Sequence, residues 1–108
     1  MTQDYTYTIY YSARNEAGVM WCPDCRDVES TLASTFKLDQ AEGAQAEIIY
    51  LTRPDWKSPA NQYRHAPWNL TGIPTVLKFS PQGAIVAKIE DADILDPAKL
   101  AAFLKQEA

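Results

Sequence analysis

Apolar and polar positions change their spacing several times along this chain, and each change marks an element boundary. Residues 5–11 (Tyr-Thr-Tyr-Thr-Ile-Tyr-Tyr) are aromatic or β-branched throughout and predict a strand. Residues 12–20 are small, charged and Gly-containing, and predict a loop. From Cys22 the period becomes helical. Val28, Leu32 and Phe36 recur at every fourth position and predict one buried stripe. Pro23 suits the first turn, where its missing N–H costs nothing, and Asp24, Asp27 and Glu29 place negative charge near the positive helix end. Residues 47–52 predict a second strand. Pro54 and Pro59 bracket a predicted loop, and residues 60–66 predict a short helix that Pro67 ends.

Residues 74–80 and 84–90 predict two further strands, joined by a tight turn at Ser80-Pro81-Gln82-Gly83. Asp96 is a suitable N-cap and Pro97 a suitable first residue for a last helix, whose apolar face is Leu100, Phe103 and Leu104. The order is β-α-β-α-β-β-α. Strands joined through a helix should run parallel and the final hairpin antiparallel. The expected architecture is an α/β domain over residues 1–108, with a four-stranded mixed sheet flanked by helices.

Composition narrows the function classes. The net charge of −4 disfavours a phosphate backbone as partner, so no nucleic acid is expected. No apolar run approaches the roughly 20 residues of a membrane span, so no membrane is expected either. The N-terminal residues show neither a basic segment nor an apolar one of secretory type, and a cytoplasmic, reducing location is the expectation. Two cysteines alone do not make a disulfide scaffold.

Those cysteines stand in Trp21-Cys22-Pro23-Asp24-Cys25. Disulfide exchange needs a thiolate, a second thiol nearby and access for substrate. A cysteine at a helix N-terminus meets the first need, because unpaired amides and the helix dipole stabilise negative sulfur. Two intervening residues bring the second thiol back over one turn. Cys22 is therefore the expected nucleophile and Cys25 the resolving thiol. Asp24 complements the helix start but opposes a thiolate on Cys22, and its carboxyl could carry protons during resolution. Structural zinc would need four ligands, and only His65 and carboxylates remain to help two thiolates. A structural disulfide closing so short a loop would contribute little. Two ordinary buried thiols remain an alternative on spacing alone; the Trp and Pro flanks and the β-α context argue against it.

A second element lies at Thr71-Gly72-Ile73-Pro74-Thr75, opening the third strand. Proline is tolerated at a strand start. With the cysteine motif upstream, the Ile73–Pro74 bond is read as cis, which would set the Ile73 backbone beside Cys22 to pair with an extended substrate. His65, alone and in the short predicted helix, reads as surface or packing. Trp56, Trp68 and the tyrosines read as core, whereas Trp21 belongs on the rim of the nucleophile.

These residues resemble the thioredoxin-related proteins of the Trp-Cys-Pro-Asp-Cys type, the thioredoxin domain-containing protein 17 family. Residues 11–18 (Tyr-Ser-Ala-Arg-Asn-Glu-Ala-Gly) look like that family's extended loop before the motif. Arg53 to Phe79 is similar to its Trp-Lys-x-Pro-x-Asn and Pro-Thr-Leu-Leu-Lys segments. The resemblance implies a minimal thioredoxin fold and a disulfide reductase without a bound cofactor, reduced by NADPH through thioredoxin reductase and acting on small or peptide disulfides. It implies Cys22 as nucleophile, Cys25 as resolving thiol, Trp21, Pro23 and Asp24 as tuning residues, and Ile73, Pro74 and Thr75 as the substrate-binding edge. Two departures stand out. The stretch before the first strand leaves little room for the family's opening strand and helix, so an exposed sheet edge and pairing between chains are expected. Val19-Met20 is apolar where the family is polar, which suggests a hydrophobic partner patch with Trp21. A glutaredoxin-like enzyme using glutathione is a competing reading, but Glu90-Asp91-Ala92-Asp93 replaces the Gly-Gly element that would grip glutathione. A non-catalytic redox-sensing module is another.

Overall fold

In the computed structural model, which describes residues 5–38 and 46–106, the chain forms a β-α-β-α-β-β-α succession. Strand β1 (Thr6–Ser12) leads through helix α1 (Pro23–Phe36) to β2 (Glu47–Leu51). A short helix α2 (Arg53–Lys57) precedes β3 (Thr75–Phe79) and β4 (Ile85–Glu90), and α3 (Pro97–Lys105) follows. The strand order is β2-β1-β3-β4, with β1–β2 parallel and both other pairs antiparallel. This is the expected mixed sheet. The edges are β2 and β4, and among the described residues β2 has a neighbour only on its β1 side.

Every residue of the predicted α1 stripe is buried: Val28, Leu32 and Phe36, joined by Cys25. They meet Ile9 and Tyr11 of β1, and Tyr7 stacks on Phe36 and on Phe103 of α3 at 5.0 and 5.8 Å between ring centres. On the other face Tyr10, Tyr63 and Trp68 form a second aromatic cluster, with centres 5.1 and 5.2 Å apart. Asp96 caps α3 by accepting the amides of Ala98 and Lys99.

Four expectations are corrected. The helix expected over 60–66 is a 3-10 turn at Gln62–Arg64 that ends before Pro67, while α2 lies where the bracketing prolines suggested a loop. Thr52 caps α2, and Pro54 sits in its first turn, where proline is tolerated. His65 consequently follows the turn rather than lying in a helix, and its Nε2 is 2.7 Å from the Pro59 carbonyl. Tyr50 is 53% exposed on the edge strand, not in the core. Met20 is 1% exposed, because a bridge between Arg14 and Met20 folds the loop back and turns that side chain inward. Only Val19, 40% exposed, and the half-buried Trp21 remain of the expected apolar patch.

Candidate redox site

The site is built at the start of α1, at the end of β1 and ahead of β3. Cys22 is the N-cap of α1, with extended backbone, and its sulfur accepts the Cys25 amide at 3.4 Å. A helix start presents unpaired N–H groups, and here the capping acceptor is the sulfur itself. The Cys22 thiol also approaches the Ile73 carbonyl at 3.6 Å. The two predicted segments are therefore in contact. The Ile73–Pro74 peptide is cis, as is Ala66–Pro67. Ile73, Pro74 and Thr75 are all buried, and Thr75 is tied back by its hydroxyl, which donates to the Gly72 carbonyl at 2.7 Å.

Both cysteines are free thiols. They occupy different surroundings. Cys22 keeps 7% of its surface, and Cys25 keeps none. Burial pushes the Cys25 thiol up to about 12, the neighbouring Cys22 adds to the rise, and the Ser12 main chain and hydroxyl oppose it. Tyr11 precedes Ser12 on β1, and burial first, then Cys25, raises its phenol well above the usual range. Neither Ser12 nor Tyr11 was singled out by the sequence. The signal available was positional, since both close the strand that runs beneath the motif.

Trp21 forms one wall. Its indole N–H donates to the Leu51 carbonyl at 2.9 Å, and the same carbonyl accepts the Ala13 amide at 2.8 Å, tying the motif's approach to the end of β2. Pro23 and Asp24 are exposed beside Cys22 in sequence. Asp24, Asp27 and Asp91 line one small hollow. Partial burial raises the Asp91 carboxyl, and the charges of Glu90, Asp24 and Asp93 raise it further, so this flank is a genuine concentration of negative charge. Among the described residues no group of three or more His, Cys, Asp or Glu could hold a metal ion. No helix among them is long and apolar enough to cross a membrane.

Comparison with known proteins agrees with this geometry. Human thioredoxin domain-containing protein 17 is 28% identical over 94 residues, covering 83% of this chain and 73% of that protein. Mouse nucleoredoxin is 23% identical over 107 residues, covering 82% of this chain but only 23% of its own length, so this chain spans about a quarter of the nucleoredoxins it matches. Among solved structures, a DsbH oxidoreductase superposes with a TM-score of 0.55 at 17% identity, covering 95% of this chain and 75% of that one, a likeness of fold. The model of the thioredoxin domain of thioredoxin domain-containing protein 17-like proteins matches residues 1–106, and the chain belongs to that family, with a thioredoxin-like fold.

Proposed function

We propose that the protein is a disulfide reductase of thioredoxin type. One observation carries the reading: Cys22 sulfur caps a helix within reach of the Ile73 carbonyl, and a fully buried second thiol lies one turn below it. The Cys22 thiolate attacks a substrate disulfide, forming a mixed disulfide and releasing one substrate thiolate. Cys25 then gives up its proton and attacks Cys22 Sγ. The Cys22–Cys25 bond forms, the bond to substrate breaks, and the second substrate sulfur leaves with a proton. Two electrons pass from the dithiol to the substrate. The raised Cys25 thiol keeps that sulfur protonated until the mixed disulfide forms, which separates the roles.

Extended substrates pair with the backbone beside Ile73 and Thr75, and Trp21 bounds the approach. Small or peptide disulfides suit such an open edge better than substrates needing a deep pocket. Electrons return from NADPH through thioredoxin reductase rather than from glutathione. Glutathione is anionic, and the acidic flank of Asp24, Glu90, Asp91 and Asp93 opposes it. The two single-cysteine variants test the assignment. Cys25→Ser is expected to accumulate a covalent adduct with a peptide disulfide, and Cys22→Ser to form none and lose turnover. Adduct on the Cys22→Ser protein would reverse the roles. Efficient NADPH consumption with thioredoxin reductase, and slow recovery with glutathione alone, is the expected donor preference; the opposite ranking refutes it.

A further inference from the structure

The two sheet edges are built differently. β4 carries the exposed Lys88, and its pairing with β3 shifts register at Lys78 and Phe79. A lysine and an irregularity both blunt an edge against further pairing. β2 reads Glu-Ile-Ile-Tyr-Leu, pairs with β1 in unbroken register, and contains no lysine, proline or bulge. Tyr50 stands 53% exposed on it. An open hollow of about 240 Å3 lies beside the strand, between Ile48 and Tyr50 on one side and Glu29 and Ala33 of α1 on the other.

The backbone of β2 fixes what can pair with it. The Leu51 carbonyl accepts the Ala13 amide at 2.8 Å, so Leu51 turns its peptide groups toward β1. Alternation turns Glu47 and Ile49 the same way, toward their partners Thr8 and Tyr10. Ile48 and Tyr50 therefore point their N–H and C=O groups outward, to the side where β2 has no strand among the described residues.

We propose that β2 is a docking edge for a second copy of this chain, paired antiparallel about a twofold axis at Ile49. In that register Ile48 faces Tyr50 of the second copy, and Tyr50 faces its Ile48. Each pair exchanges both N–H···O bonds, so every outward group of either strand is used. The facing side chains are aromatic and β-branched, a favourable cross-strand pair, and each Tyr50 comes to the rim of the other copy's hollow. Glu47 falls opposite Leu51, so no like charges meet across the pair. Moving the axis to Ile48 or Tyr50 would need Ala46 or Thr52 as partners. Ala46 lies outside the strand, and the Thr52 carbonyl already accepts the Trp56 amide at 2.9 Å. The edge is thus complementary to itself, and a twofold pairing closes without leaving a second β2 edge. The joined sheet ends at both sides on β4, the edge that is already blunted.

Sedimentation equilibrium of the reduced protein from about 10 µM to about 1 mM, in about 0.15 M salt to screen the net charge of −4 on each copy, reads the association. A monomer–dimer equilibrium is expected. Tyr50→Lys is expected to weaken it about tenfold, because the exposed position accepts a lysine in the monomer while pairing would bury its charge against Ile48. The substitution lowers the net negative charge, so added repulsion does not account for such a loss. Hydrogen exchange reads the register. Between the same concentrations the Ile48 and Tyr50 amides should gain about tenfold protection, with Ile49 and Leu51 unchanged because β1 holds them. In a Cys22→Ser, Cys25→Ser background, Ile49→Cys should cross-link on mild oxidation, since the residues paired at the axis have Cα atoms about 4.5 Å apart. Ile48→Cys should not, lying about 7–8 Å from its counterpart. A wild-type protein that stays monomeric at about 1 mM overturns the proposal. So does a dimer that survives Tyr50→Lys, or cross-linking of Ile48→Cys as fast as Ile49→Cys. Ile48 and Tyr50 amides protected in a monomer would mean that another segment of the chain covers the edge, which overturns it as well.

Discussion

Two walls meet at Cys22, and they are held by different physics. One is α1, whose Val28, Leu32 and Phe36 bury a continuous stripe against β1. The other is the connection from Thr52 to Pro74, whose short helix and 3-10 turn bury no residue completely. The connection holds itself by side chains bonded to its own backbone. Asn61 donates to the Asp55 carbonyl at 2.9 Å and accepts the Tyr63 amide at 2.9 Å. Arg64 reaches the Trp56 carbonyl at 3.3 Å and lies over the Trp56 ring. Its aromatic anchor, Tyr63 with Trp68, rests on Tyr10 of the opposite sheet face. The nucleophile stands on the wall fixed by burial, and the Ile73 carbonyl ends the wall fixed by hydrogen bonds.

The sharpest way to break this contrast is to cut the stripe. Leu32, in the third turn of α1, is fully buried. Leu32→Ala should cost about 2–5 kcal/mol, through lost burial and the cavity left behind. Urea unfolding of the reduced protein measures it. A cost below about 1 kcal/mol would mean that α1 is not held by its apolar face.

High pH separates the walls next. Burial raises the Cys25 thiol from an ordinary 9.0 to about 12, and it raises the Tyr10 phenol from 10.0 to about 12, with Tyr63 and Glu47 adding to the latter. Both groups are neutral when protonated. Below their unfolded values both states hold the proton, and stability is unaffected. Above those values the unfolded chain releases the proton while the folded chain keeps it, so stability falls as pH rises toward the folded values. Each group steepens the loss by up to about 1.4 kcal/mol per pH unit. The urea midpoint of the reduced protein should decline from about pH 9. Cys25→Ala should delay the onset toward pH 10, and Tyr10→Phe should reduce the slope of the later part, to which the raised Tyr11 phenol also contributes. A midpoint constant to pH 11 would show that neither wall excludes water from β1.

The same contrast explains what could be read without coordinates. The α1 stripe, the Ser80–Gly83 turn and the Asp96-Pro97 start of α3 each have a periodic or capping signature, and the structure follows them. The Cys22 position follows from the same rules. The connection has no such signature. At five residues α2 is too short to show a helical period, and its start depends on the Thr52 hydroxyl accepting the Asp55 amide at 3.2 Å. The 3-10 turn at Asp91–Leu95 was hidden for a similar reason: its acidic composition reads as surface, yet Ile94 is fully buried. Met20 looked like part of a patch because loop residues carry no face until the Arg14–Met20 bridge assigns one.

The smallest predicted effect sharpens the comparison from the other side. Asn61 is the hub of the connection: besides its two side-chain bonds, its amide donates to the Ser58 carbonyl and its carbonyl accepts the Arg64 amide, both at 3.1 Å. Asn61→Ala removes only the side-chain pair. The groups released lie in a largely exposed segment, so water replaces much of what is lost, and the cost should be about 1 kcal/mol. Asn61→Asp keeps an acceptor for the Tyr63 amide but faces a carboxylate oxygen toward the Asp55 carbonyl, so it should retain the 3-10 turn while loosening its tie to α2. Hydrogen exchange reads the two parts separately. Asn61→Ala should speed exchange at Tyr63 and Arg64 with little change in α1, whereas Asn61→Asp should protect Tyr63 and expose the link to Asp55. If Asn61→Ala instead costs as much as Leu32→Ala and exchange rises through α1, the two walls unfold as one unit, and the Ile73 carbonyl owes its place beside Cys22 to the whole domain rather than to its own connection.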